Sequence, residues 1–378
     1  MISNKNKDSP APYKSKIVFF SFLILLILFS VALNRPAPAS RLELLHSDIS
    51  RGEIIGGKPL RILEGNVHAR QDSLELYCDR ATYDETDKIL TLKGNVHLYR
   101  GKDTLLAKEV RYFEFSKIAI AEGQVRVFRP LQVMKCNYLE YYYETDKIRA
   151  SGNLFLHDIQ NRVFITGKKG EYIPEKKYSY VRNDAHFWRI DSTSNDTLNI
   201  FSQLMEYQFG SIRRATARDS VRIIQENLHA TCDSAIYFLA EDMINLKGEP
   251  VALQENNKIS GREMQMFLEN QELREIMVME GARAVSVVDT ALQKENRLEG
   301  RAIIMYISNR KLNELLAISN ARSLYHLKEG EKNQGINVAS ADTIKAFFKN
   351  NEIDSISVIG GAQGIYYPED YKGPIKEE

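Results

Sequence analysis

Leu63-Glu-Gly-Asn-Val67, Leu92-Lys-Gly-Asn-Val96, Ala121-Glu-Gly-Gln-Val125 and Ala150-Ser-Gly-Asn-Leu154 are four copies of one phrase, with Gly65, Gly94, Gly123 and Gly152 spaced 29 residues apart. The phase returns at Asp219 and Gly248, again 29 apart. A fixed period of this length marks an architecture built from repeated units. Counted from the glycine, positions −2, +2 and +4 are apolar, as in Leu63, Val67 and Ala69 or Leu92, Val96 and Leu98, while +1 is polar. A period of two describes a strand with one buried face.

A second strand follows a polar turn in each unit. Its inward residues stand at +11, +13, +16 and +18: Leu76, Cys78, Ala81 and Tyr83; Leu105, Ala107, Val110 and Tyr112; Met134, Cys136, Leu139 and Tyr141; later Ala230, Cys232, Ala235 and Tyr237. The step from +13 to +16 is three, so the alternation slips once at the same place in every unit. A bulge or bend there turns one long strand between two sheet faces. Polar turns such as Asp84-Glu85-Thr86-Asp87 close the units. Later units carry polar insertions, Asp191 to Asp196, Asp289 to Asn296 and Lys328 to Gly335, which read as hairpin loop tips.

About ten units run to Tyr367. One unit cannot bury its apolar face alone, so neighbours stack into a continuous core. Two long strands per unit joined by short turns favour antiparallel pairing over a parallel β-helix. The fold class is therefore all-β, an elongated, open antiparallel β-jellyroll built from repeats. It divides into a segment 1–40, a first half 41–190, a second half 191–368 and a polar tail 369–378.

The first segment differs from the rest. Lys5, Lys7, Lys14 and Lys16 precede an apolar run from Ile17 to Leu33, followed by Asn34-Arg35 and a Pro/Ala stretch. This is an export signal with its lysines on the cytoplasmic side. Ala37-Pro38-Ala39 suits cleavage, but residues 17–33 reach roughly 25 Å as a helix, enough to span a bilayer, and this favours an uncleaved membrane anchor. The chain as a whole is balanced, Lys+Arg 51 against Asp+Glu 50, which offers no field for nucleic acid. With 43% hydrophobic residues it has ample material for a core.

The repeated phrase resembles the OstA-like family of lipopolysaccharide transport proteins. The residues that carry it are Leu63-Glu-Gly-Asn-Val67, Leu74 to Tyr83, Asp87-Lys-Ile89 and Leu92-Lys-Gly-Asn-Val96, and the likeness runs from about Leu60 to Tyr367. The resemblance implies a twisted jellyroll whose groove holds lipid acyl chains, lipopolysaccharide or its lipid A as cargo, and related jellyrolls joined end to end by β-strand addition. It also implies the periplasm of a Gram-negative cell, with the chain anchored in or exported across the inner membrane, or associated with the outer membrane. The chain is about twice the length of a single-jellyroll member.

Chemistry of other kinds finds little support. The histidines His46, His68, His97, His157, His186, His229 and His326 do not fall at metal-ligand spacing. His68, His97 and His186 share position +3 and read as solvent-exposed surface. There is no Gly-x-Ser-x-Gly and no phosphate loop, and the acidic residues sit in turns. The expectation is a chain without catalytic residues, cofactor or metal. Cys78, Cys136 and Cys232 sit at the same inward position; two units separate the first two, at least about 9.5 Å, beyond disulfide reach of about 7 Å. They read as free core thiols.

The inward residues Leu76 to Tyr141 named above are the candidates to face a lipid. Whether they line a groove or a filled core stays open, since both use the same residue types. The candidate partner edges are Ile62 in the first unit, around Arg61 to Arg70, and Val358, Ile365 and Tyr366 in the last, where Gly360, Gly361 and Gly364 permit close backbone approach. Alternatively, the polar tail caps that last edge. The rival to lipid carriage is a structural or adhesive envelope repeat without lipid cargo.

Overall fold

The computed structural model describes residues 42–376 apart from 161, 191–196, 209–213, 239, 270–271, 290–293, 310, 330–331 and 350–351. Its 24 strands all belong to one antiparallel sheet. They are β1 Glu43–His46, β2 Ile49–Ile55, β3 Lys58–Gln71, β4 Leu74–Asp84, β5 Ile89–Arg100, β6 Asp103–Phe113, β7 Ile118–Arg129 and β8 Gln132–Tyr142. Next come β9 Lys147–Asp158, β10 Val163–Ile173, β11 Tyr178–Ile190, β12 Thr197–Gln208, β13 Arg214–Gln225, β14 Leu228–Phe238, β15 Met243–Lys247 and β16 Val251–Gln254. The last are β17 Asn257–Ser260, β18 Glu263–Glu269, β19 Glu272–Asp289, β20 Lys294–Ser308, β21 Lys311–Glu329, β22 Lys332–Lys349, β23 Glu352–Ile359 and β24 Gln363–Tyr367.

From β3 to β14 each strand pairs with the next in an uninterrupted meander. Ten of the eleven pairs in this meander shift register once, so the sheet is creased along its length and its two wings enclose the core. On β3 the break falls between Glu64 and Val67, on β5 between Lys93 and Val96, and on β7 between Glu122 and Val125. The slip expected in the second strand of each unit is there, and its cause lies in the first. Gly65-Asn66 and Gly94-Asn95 both adopt positive φ, and among the described residues ten such dipeptides mark ten corners. Asn66 and Asn95 are therefore corner residues, not the outward members of a regular alternation. Asn183-Asp184, Asp219-Ser220 and Ser319-Asn320 turn the same corner without glycine, which Asn and Asp, with short side chains that bond locally, tolerate best. Gly360-Gly361, expected within a strand, is the last corner and separates β23 from β24.

The insertions lengthen strands as well as tips. Lys328 and Glu329 extend β21 opposite Asn333 and Lys332 of β22, after a register shift beyond Leu327. Residues 191–196 lie outside the described ones, as does the whole segment 1–40, including the proposed anchor at 17–33. Among the described residues no helix is long and apolar enough to cross a membrane.

The two outer faces differ. Before the corner runs a ladder of ion pairs: Lys93 to Glu109 at 3.4 Å, Arg111 to Glu122 at 3.0 Å, Arg149 to Glu171 at 3.1 Å and Arg218 to Glu206 at 2.7 Å. Past the corner, rings stack across strands: His157 on Phe164 at 4.1 Å, Phe164 on Trp188 at 5.0 Å and His186 on Phe201 at 4.1 Å, with Lys135 over Phe155 and Arg222 over Phe201. His68, His97 and His186 do face outward, but they are half-buried rather than freely exposed, because neighbouring strands bring ring against ring; His68 stacks on Tyr77 at 4.2 Å.

Inside, buried residues form two large clusters. The first runs from Val67 to Phe187, the second from Ala217 to Ala346, and both touch Leu198 and Ile200 on β12.

Candidate functional site: an interior cavity

The first cluster does not fill the space between its wings. A cavity of about 960 Å³ lies inside β3–β9 and reaches the N-terminal edge at Leu42, Leu44, Arg51 and Gly52. The corner positions its walls. Because each strand reverses its inward face at the crease, −2 and +4 of the first strand and +11 and +16 of the second all point between the wings.

Of the twelve residues expected inward, Leu76, Ala81, Tyr83, Leu105, Val110, Tyr112, Met134, Leu139 and Tyr141 line this cavity. Cys78, Ala107 and Cys136 are buried in the same cluster without bordering the space. They sit beside the crease, where the wings converge; the Cys78 thiol donates to the Arg80 carbonyl at 3.3 Å. Burial pushes the Cys78 thiol up to about 11 and those of Cys136 and Cys232 to about 12. All three are free. Both strands of each unit join one ladder, so Cys78 on β4 and Cys136 on β8 stand four strands apart, about 19 Å.

Sequence reasoning missed part of the lining. Leu90 and Ala119 at −4, and Tyr143 beyond the end of β8, also face the space. The alternation continues to −4, which was the available signal; Tyr143 lies past its strand and carried none. The tyrosines brace each other: Tyr112 and Tyr141 both meet Tyr143 edge-on, with ring centroids at 5.3 and 4.7 Å. Burial raises the phenols of Tyr112, Tyr141 and Tyr143, so all three are neutral across the physiological range.

The charged residues of the lining are Arg51, Arg61, Arg100 and Glu114. Arg51 donates to Glu64 at 2.6 Å, Arg61 pairs with Glu85, and the Tyr83 hydroxyl donates to Glu114 at 2.9 Å. The result is a mainly apolar trough whose mouth carries guanidiniums paired with carboxylates, suited to a ligand with an apolar body and a polar head. Among the described residues no group of His, Cys, Asp or Glu is placed to hold a metal.

The edges are not all where expected. Ile62 is 1% exposed, and β3 is paired on both sides, with β1 and β2 on one flank and β4 on the other. The N-terminal edge is β1 and β2, which carry the exposed Leu44, Leu45, Ile49, Ile54 and Ile55. Their polar neighbours hid this strand from the repeat, which begins only at Leu60. At the other end Ile365 and Tyr366 lie on the outermost strand, 43% and 53% exposed, and Val358 on β23 is half-buried against the second core. The tail returns to this end without adding a strand: Lys376 donates its amide to the Tyr367 hydroxyl at 3.0 Å, and Tyr371 packs on the Tyr367 ring.

Comparison with known proteins gives one family. The profile described as LptA/(LptD N-terminal domain) LPS transport protein matches residues 77–272. No curated protein matches the chain. A solved structure of LptH, the LptA-homologous periplasmic component of the lipopolysaccharide transport device of Pseudomonas aeruginosa, is similar over 37% of this chain and 95% of its own, with 14% identity and a TM-score of 0.29.

Proposed function

The chain belongs to the LptA/LptD N-terminal domain family of lipopolysaccharide transport proteins, and from that premise we propose that it is a non-enzymatic lipid carrier. Acyl chains of lipopolysaccharide occupy the trough inside β3–β9, and the polar head stays at the Arg51 and Arg61 rim. The observation that supports this most is the cavity itself, about 960 Å³ with walls of Leu, Val, Ala, Met and Tyr. Each methylene moved into such a space contributes about 0.8 kcal/mol, so an acyl chain needs no covalent chemistry to be held.

The chain works outside the cytoplasm, anchored by residues 17–33 or released after export, in the space between the two membranes of a Gram-negative cell. Its partners are jellyrolls of the same family, joined by strand addition at the β1/β2 edge and at β24 around Ile365 and Tyr366. Residues 41–190 and 191–368 are its two jellyroll halves, each with its own core.

The test is capture of labelled lipopolysaccharide by delipidated protein. Leu76→Asp and Leu105→Asp reduce capture at least tenfold, whereas Arg70→Asp, on the outer surface, leaves it within twofold. Because a buried Asp can unfold the chain, Ala81→Phe serves as the second variant: it fills the trough without a charge. Equal loss from Arg70→Asp and the inward variants points to surface charge and overturns the reading.

A further inference from the structure

The interior is not the same along the chain. Between β3 and β9 it is a cavity of about 960 Å³, spanning six strand spacings, roughly 29 Å. Met134 and Ile148 end it, and on their far side the next space, bordered by Ala150, Leu154 and Tyr172, holds only about 50 Å³. At the junction of the two cores, under Phe187 and Ile200, the space is about 90 Å³. In the second core, beside Met305 and Ile344, it is about 40 Å³, room for a few water molecules at most.

The side chains explain the difference. In the first half the lining alternates Leu with Ala and leaves Leu63, Leu90 and Leu98 only partly covered. In the second half Leu246, Met264, Ile276, Ile303 and Ile344, neighbours on one wing, are 0% exposed and share one buried cluster with Ile259, Ala284 and Leu298 of the other wing. Branched aliphatics and unbranched methionines fill irregular gaps, and a filled interior has close-packed density.

Resting on the lipid-carrier reading, we infer that the lipid track is blind. Acyl chains occupy the first half only, Met134 and Ile148 form its inner stop, and the second half is a dry, closed core that no chain enters. A single opening at the β1/β2 edge then serves for both loading and unloading. The protein receives and returns lipid at one end; it does not pass lipid from one end to the other. One cavity of this size lies at the top of the roughly 300–1,000 Å³ that holds one small-molecule ligand, so each chain carries one lipopolysaccharide.

The test uses the full, unsubstituted chain with methyl-labelled Leu and Ile, and lipopolysaccharide carrying a nitroxide on an acyl chain. Methyl signals of Leu76, Leu98 and Leu105 are expected to broaden, while those of Leu246, Ile303 and Ile344 stay sharp; native mass spectrometry is expected to show one lipid per chain. Broadening in both halves, or two lipids per chain, overturns the blind track and leaves the carrier reading standing. If native mass spectrometry shows no bound lipid and no methyl broadens, the carrier reading fails, and the blind track fails with it.

Discussion

The carboxylate of Asp79 on β4 accepts a hydrogen bond from the Asn95 side-chain amide on β5 at 3.0 Å, across the crease of the sheet. The same oxygen would lie 2.2 Å from a Cβ placed on Gly94, whose φ is +73°. Asp48 stands in the same relation to Asn66 and Gly65. The Gly-Asn pair of the repeat thus serves two purposes: glycine admits the left-handed backbone and the close carboxylate, and asparagine ties the two strands together.

Gly94→Ala is therefore expected to destabilise the protein by about 2 kcal/mol, from the positive φ and the clash combined. Urea denaturation measures it through the midpoint. Removing the carboxylate as well, in Gly94→Ala with Asp79→Ala, relieves the clash but not the backbone strain, so the double variant costs less than the sum of the two single ones. Strict additivity would show that Asp79 does not press on this corner.

Glu171 predicts an acid-labile step. Burial works against its charge, but Lys147 at 2.5 Å, the Tyr180 hydroxyl at 2.7 Å and Arg149 at 3.1 Å outweigh it and hold its carboxyl at about 2. A folded value below the unfolded one gives stability that is complete above about pH 4.5 and lost as pH falls towards 2. Glu171→Gln should cost on the order of 2–3 kcal/mol at pH 7, and the gap to the parent should close between pH 4.5 and 2. A pH-independent gap in the denaturation midpoints would assign the cost to packing instead.

The two cores should respond differently to added bulk. Ala81→Phe, facing the large cavity, should change stability by less than about 1 kcal/mol, since the space accepts the ring. Ala317→Phe, in the filled second core at 0% exposure, should cost at least about 1–3 kcal/mol from overpacking. Thermal unfolding of the two variants side by side decides it; similar losses would mean that the first core is as tight as the second.

Thiol chemistry offers an independent check on burial. With thiols pushed up to about 11 and 12, almost no thiolate exists at pH 8, and the native protein should react with a disulfide reagent only as fast as it opens. Denatured without reductant, it should release three equivalents. One equivalent would mean that two of the cysteines are paired.

Several of these features were legible in the chain itself. The 29-residue phase, read with the slip from Cys78 to Ala81, specified creased antiparallel strands and the inward row Leu76, Leu105 and Met134. A period of two is a local property, imposed by the pleat on every strand whatever its neighbours are. The corners at Asn183 and Ser319 escaped notice because more than one residue type tolerates positive φ, so the glycine count undershot them. The edge at β1 and β2 escaped because an edge strand has one partner and little burial, and so carries no repeat pattern.

Alternation names the face of a strand that turns inward; it does not measure the distance to the opposite wing. Tyr83, Tyr112 and Ala81 read alike in an open trough and in a solid core. Which one they form depends on the separation of the wings and on the side chains that residues far away in sequence project between them. In the second half Leu246, Ile303 and Ile344 on one wing and Ile259 and Leu298 on the other fill that gap in one buried cluster, and between β3 and β9 nothing does. The sequence alone determined the strands, their crease and their inward faces, because these follow from local stereochemistry. Only the tertiary structure decided where the interior is empty, because volume is a property of surfaces brought together, and no single strand contains it.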